Sequence, residues 1–221
     1  MITTAFDETK KEELTNLARE MMGSKEKILD NVFYRLMSSK NCLDRVSEHY
    51  VGDYDKAFAI RLSDDEEGIS SIVLTWDMLE GLGIDFDSIK EAAERNTPSF
   101  SEAVIEPMFN MLASLVGSDI DFPIQEGAQD LCVLTNASKL YGASAICYEG
   151  MLEKCSSMLG SFWVLPSSVH ELILVPCTMG ADTDTLRQMV REVNDSIVEP
   201  RDILGYQVLF YDAITRTLEV A

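Results

Sequence analysis

From Leu131 to Pro176 the chain sets short apolar runs between polar punctuation, and the period of each run predicts its element. LCVLTN (131–136), SKLYG (138–142) and ASAICY (143–148) read as strand, turn, strand, being rich in branched and aromatic residues on either side of a glycine-containing turn. EGMLEKCSSMLG (149–160) reads as a helix. SFWVLPSSVHELILVP (161–176) reads as two further strands broken at Pro166-Ser167-Ser168, with His170 opening the second. Leu172 to Val175 are apolar at successive positions, which marks a strand buried on both sides and therefore central in its sheet.

The first half follows similar grammar. Residues 5–22 carry Phe6, Leu14, Leu17, Ala18 and Met21 at helical spacing, with Thr4 or Asp7 as cap and Gly23 as stop. NVFYRLM (31–37), AFAIRL (57–62) and ISSIVLTW (69–76) are strand-like, and the last pairs with its predecessor across the acidic tip Asp64-Asp65-Glu66-Glu67. Asp85 or Asp87 caps a helix expected to stop at Asn96-Thr97-Pro98, because a proline pushes the residue before it out of helical geometry. Residues 96–106 then read as a linker, Pro107 as the first turn of a helix to Val116, and 117–130 as a loop. Asp182 or Asp184 caps a helix over 185–194, with Leu186, Met189, Val190 and Val193 on one face. Residues 206–211 and 217–220 close the chain as a hairpin.

These elements predict an α+β fold, an antiparallel or mixed β-sheet with helices packed on it. Residues 1–98 form one α+β half and 99–221 the other, which carries the polar strand ends. Both halves set paired strands beside a helix without a residue-level repeat, so two similar α/β halves and one compact unit are both compatible with the pattern.

A formal charge of −20 on 221 residues narrows the partners. Such a surface repels phosphate backbones and anionic lipid, so neither nucleic acid nor membrane is expected. Between Arg95 and Arg187 the only lysines or arginines are Lys139 and Lys154, so no phosphate groove arises there. The acidic residues concentrate in the first 95 positions, which speaks against a nucleic-acid mimic. A solvated acidic surface and an acidic face for a basic protein are the readings left. No segment approaches about eighteen uncharged apolar residues, and MITTAFDETKKEEL has no signal-peptide core, so a cytoplasmic location is expected. The five cysteines, Cys42, Cys132, Cys147, Cys155 and Cys177, are odd in number and lie mostly in apolar runs. They are expected to be buried free thiols in a reducing compartment.

LTN (134–136) followed by KLYGA (139–143), PSSVHE (166–171), MVREVN (189–194) and a closing YD…TLEV resembles a family of uncharacterised bacterial proteins, a domain of unknown function. The resemblance runs from Leu131 to Val220 and extends to 31–98 through WDMLEGLGI and AAERNTP. It implies a cytoplasmic bacterial protein and brings no activity with it.

The polar cluster with chemical potential is Asn136, Ser167, Ser168, His170 and Glu171. It holds the residue types of a nucleophile, a base and an orienting acid. In an extended segment His170 and Glu171 point to opposite faces. Ser168 and His170 share a face, with Cα atoms roughly 6.5 Å apart at about 3.3 Å of rise per residue. No G-x-S-x-G elbow accompanies them. The alternative is that both serines satisfy backbone groups at a strand break. Cys177 and His170 would stand about 23 Å apart along one strand and cannot pair there. Two histidines, His49 and His170, without C-x-x-C or H-E-x-x-H spacing give no metal site. Asp53/Asp55, Asp85/Asp87, Asp119/Asp121 and Asp182/Asp184 lack the continuation of a calcium loop, and two of these pairs suit helix caps. Neither phosphate-loop nor dinucleotide glycine patterns occur, so no cofactor is expected. Met108, Met111, Met158 and Met189 are expected to fill cores, and Tyr141 and Trp163 are candidate exposed aromatic anchors.

The reading is a non-catalytic interaction or small-ligand-binding protein with an acidic surface, its ligand meeting Asn136, Ser167, Ser168 and His170. The alternative is a hydrolase or transferase using Ser167 or Ser168 with His170. A third is an adaptor for a basic protein.

Overall fold

The computed structural model describes residues 8–65, 68–108 and 131–221. The fold is α+β. Two compact units interleave along the chain: one gathers the described residues of Met1–Tyr34, Leu43–Ser47 and Ala57–Phe100, the other those of Arg35–Cys42, Glu48–Lys56 and Ser101–Ala221.

The first unit opens with α1 (Glu8–Met22), the expected N-terminal helix, whose candidate caps Thr4 and Asp7 lie outside the described residues. Next comes α2 (Lys25–Asn31), where Ser24 Oγ accepts the Lys27 amide. Strands β1 (Val32–Ser38), β2 (Ser47–Val51), β3 (Tyr54–Asp65) and β4 (Gly68–Val73), drawn from segments of both units, form a sheet of order β1-β3-β2, with β4 also on β3. The hairpin expected across the acidic tip is β3–β4, antiparallel, with a register shift between Arg61 and Ser63. Trp76 does not end a strand as expected. It opens α3 (Trp76–Leu82), because Thr75 Oγ1 accepts the Met78 amide and caps a helix there.

Helix α4 (Phe86–Phe100) carries a larger correction: it runs straight through Pro98. Its start is as expected, with Asp85 Oδ1 accepting the Ser88 amide at 2.8 Å. Asn96 and Thr97 are buried, not terminal. Asn96 Nδ2 donates to the carbonyls of Leu29 and Val32 at 2.8 and 3.0 Å. Thr97 Oγ1 accepts the Tyr34 amide and donates to the Ala93 carbonyl. Proline forfeits one helical hydrogen bond, and these tertiary bonds one and two residues earlier hold the helix on course. The linker expected over 96–106 is therefore absent. The end of α4 fills its beginning, and β5 (Ala103–Pro107) fills its end, with Pro107 the last strand residue and Met108, directly after it, already helical. The helix expected onward to Val116 and the loop 117–130 lie outside the described residues. Phe58 anchors this unit's core, with edge-on Tyr34 and Phe86 rings at 6.5 and 5.6 Å.

The second unit is built on a six-stranded sheet of order β10-β9-β7-β8-β6-β5, adding β6 (Cys132–Asn136), β7 (Phe162–Leu165), β8 (Leu172–Pro176), β9 (Leu209–Asp212) and β10 (Thr217–Val220). Each neighbouring pair is antiparallel. Strand β8 sits centrally between β7 and β6, as its uninterrupted apolar run predicts. Register sorts the two faces. Leu165 and Val175 point to one, where Leu186 and Val190 of α6 (Thr183–Ser196) and Val208 join them in a buried cluster. Phe162 stacks on Tyr211 at 5.2 Å on the other. There α5 (Met151–Leu159) packs Cys155 near Cys132 and Tyr211. The α6 cap is Asp182, whose Oδ1 accepts the Thr185 amide at 2.9 Å.

ASAICY is not a strand. Residues Gly142–Cys147 form a 3-10 helix that starts beside the end of β6. A Cβ on Gly142 would fall inside hard contact of Thr135 Oγ1 and the His170 carbonyl oxygen, and 2.7 Å from the Asn136 amide nitrogen. Such intimate backbone packing leaves no room for the side-chain alternation of a strand. Two methionines also correct the core reading: Met158 and Met189 are each 46% exposed. Met111 lies outside the described residues. All five cysteines are free, with Cys42, Cys132 and Cys155 buried and Cys147 and Cys177 only partly so. Among the described residues no helix is long and apolar enough to cross a membrane.

Candidate functional site

Three chain segments meet where β6 ends and β8 begins. After β7 the chain turns at Pro166, with the Ser167 amide donating back to the Leu165 carbonyl at 3.0 Å. Ser168 then closes a local loop. Its Oγ accepts the His170 amide at 3.1 Å and its own amide donates to the Glu171 carbonyl at 3.3 Å. This is the backbone-satisfying role that serine plays at strand breaks. His170 therefore lies in this bend and does not open the strand, which starts at Leu172.

On the neighbouring strand, Asn136 is buried and its side chain organises the connection that follows. Its Nδ2 donates to the Leu140 carbonyl at 3.0 Å, and its Oδ1 accepts from Ser138 Oγ at 3.1 Å. The loop pays for its shape in backbone geometry: Lys139 and Tyr141 both adopt left-handed φ, +56° and +54°. Non-glycine residues hold such angles only where surroundings over-determine them, and they concentrate at functional surfaces. Here the surroundings are His170 and Arg35. The Tyr141 amide donates to His170 Nδ1 at 3.3 Å, and the two rings stack with centroids 5.9 Å apart. The Arg35 guanidinium covers Tyr141 at 4.5 Å. Both interactions occupy the tyrosine ring, so it is not the open anchor expected. Trp163 is likewise engaged, by Phe210 at 4.5 Å.

The hydrogen bonds fix the chemistry of His170. A ring nitrogen that accepts an amide N–H has no proton of its own, so the neutral ring carries its proton on Nε2. That Nε2 faces Asp202 Oδ1 at 3.6 Å, and Arg201 Nε stands 3.8 Å from Asp202 Oδ2. The His170 and Asp202 side chains are each partly buried, 32% and 28% exposed. Bonds to their carbonyls hold both partners: Thr135 Oγ1 donates to the His170 carbonyl at 2.8 Å, and the Val169 amide donates to the Asp202 carbonyl at 2.8 Å.

Of the residues singled out from sequence, Asn136, Ser168 and His170 thus meet around one strand-end junction. Ser168 Oγ is occupied by the His170 amide, and the imidazole lone pair by that of Tyr141. Ser167 contributes through its backbone, and Glu171 through its carbonyl; neither side chain bonds to His170. The acid beside the imidazole is Asp202, more than thirty residues along the chain. Nothing in its local sequence, EPRDILG, signals that role. Cys177 lies elsewhere, and burial together with nearby Asp212 pushes its thiol up. Burial raises the Cys155 thiol further, to about 12, which keeps it protonated and inert. Among the described residues no three His, Cys, Asp or Glu side chains gather as metal ligands.

The model of a family of unknown function, DUF5688, matches residues 1–213, and the chain belongs to that family. No curated protein matches it, and no solved structure does.

Proposed function

We propose that this member of a family of unknown function is a non-catalytic, cytoplasmic binding protein. Its ligand meets the surface where Asn136, Ser167, Ser168 and His170 converge. The observation that carries the reading is the hydrogen bond from the Tyr141 amide to His170 Nδ1. It occupies the lone pair that a general base requires and leaves Nε2–H of this partly exposed ring as a donor beside the Asp202 carboxylate, an acceptor. A donor and an acceptor side by side match an amide or a similar polar group, and a rigid, already satisfied frame suits recognition. Free thiols support the reducing compartment.

The test is a thermal-shift and NMR screen of amide-bearing small molecules and peptides against the wild type and His170→Ala. Ligands that move the His170 and Tyr141 resonances and lose their stabilisation in the variant support the reading. A serine-reactive fluorophosphonate covers the hydrolase alternative. Labelling abolished by Ser167→Ala or Ser168→Ala would replace the binding reading with an enzymatic one.

A further inference from the structure

The two histidines are held in opposite tautomers, and the consequence falls on the one outside the strand-end surface. His49 stands on β2 with Nδ1 3.2 Å from Asp55 Oδ1, across the β2–β3 hairpin. The same oxygen accepts from Ser39 Oγ at 2.6 Å. The Asp55 side chain is only 15% exposed, whereas that of His49 is 67% exposed. An ionised carboxylate can only accept, so neutral His49 donates through Nδ1–H and keeps its lone pair on Nε2. Ser39 steadies the carboxylate, which in turn fixes the ring. No other described residue bonds to the His49 ring. At His170 the lone pair is consumed by main chain; at His49 it faces water.

We infer that His49 is a modification site, where Nε2 takes a phosphoryl group from an acyl-phosphate donor. The Nε2 lone pair forms the new bond to phosphorus. The bond between phosphorus and the acyl oxygen breaks, and the carboxylate leaves with its electron pair. The positive charge that develops on the ring is stabilised by Asp55, which draws the Nδ1 proton on its way to solvent. A ring this exposed is reached by an incoming reagent, which suits modification better than turnover of a bound substrate. Among adducts of imidazole, acyl groups hydrolyse readily while a phosphoryl group persists, which favours phosphoryl as the lasting mark.

Acetyl phosphate added to the full-length chain, read by peptide mass spectrometry at neutral pH and by phosphorus NMR, provides the test. The phosphoryl group is expected on His49 at least about tenfold faster than on His170. Asp55→Asn is expected to slow it by about tenfold, the lower end of what orienting carboxylates contribute elsewhere, with the melting temperature unchanged. Ser39→Ala is expected to slow it less. Because the protein carries a charge of −20, labelling by an anionic donor should quicken as salt is raised. Equal labelling of both histidines, or an undiminished rate in a folded Asp55→Asn variant, overturns the assignment.

Discussion

Gly142→Ala is the sharpest probe of how the strand-end surface is built. The added Cβ would collide with Thr135 Oγ1 and with the His170 carbonyl oxygen, and would stand 2.7 Å from the Asn136 amide nitrogen. Two of these three atoms are backbone, so no rotamer change relieves them. Overpacking of this kind costs about 1–3 kcal/mol. Displacing Thr135 from its 2.8 Å bond to the His170 carbonyl adds about 1 kcal/mol more. The sum, about 2–4 kcal/mol, corresponds to a fall of roughly 4–16 °C in melting temperature for a chain of this size. Urea unfolding followed through Trp163, which lies in the same unit, measures the loss. Nitrogen-15 spectra of the His170 ring report whether Nδ1 still accepts the Tyr141 amide. Adding Thr135→Ala relieves the one side-chain clash but also forfeits the hydroxyl bond to the His170 carbonyl and leaves both backbone clashes, so less than half of the lost stability should return. A Gly142→Ala protein that unfolds at the wild-type urea concentration with an unchanged His170 tautomer would refute the close-packing argument.

Asn194 is 1% exposed and donates Nδ2 to the carbonyls of Pro166 and Gly205 at 3.3 and 2.8 Å. Asn194→Leu strands both, and urea titration should show a loss of about 2–4 kcal/mol. The Tyr54 hydroxyl donates to the Gln207 carbonyl at 2.9 Å and accepts the Gln207 amide at 3.0 Å. Tyr54→Phe should therefore cost about 1–3 kcal/mol by the same assay, and a loss below half of that would show the bonds to be replaced by water. Burial raises the Tyr148 phenol from 10.0 to about 12. Its neutral form is thus favoured by folding: the stabilisation is complete below pH 10 and is lost as pH rises from 10 to 12. Stability of Tyr148→Phe, measured by denaturant titration at several alkaline pH values, should fall less steeply over that interval; an identical slope contradicts the burial argument.

Features that depend on a few consecutive residues were readable from the chain. The helix cap at Asp182, the hairpin across the acidic tip, the central position of Leu172–Val175 and the serine break after Pro166 each follow from local period or local hydrogen-bonding chemistry. Residues 143–148 and Pro98 misled for the same reason that these succeeded. Their local signals were outweighed by distant partners: Thr135 and His170 against Gly142, and Leu29, Val32 and Tyr34 against Asn96 and Thr97.

The junction around His170 divides along that line. Composition and spacing picked out Asn136, Ser168 and His170 as polar groups at strand ends. Which groups face the imidazole was decided by the fold: the Tyr141 amide at Nδ1 and the Asp202 carboxylate near Nε2. A side chain's preference for a local backbone shape is written in its covalent structure, so it can be read in isolation. The state of a titratable ring depends on which hydrogen-bonding groups stand within about 3 Å of it, and folding brings those groups from positions remote in the chain.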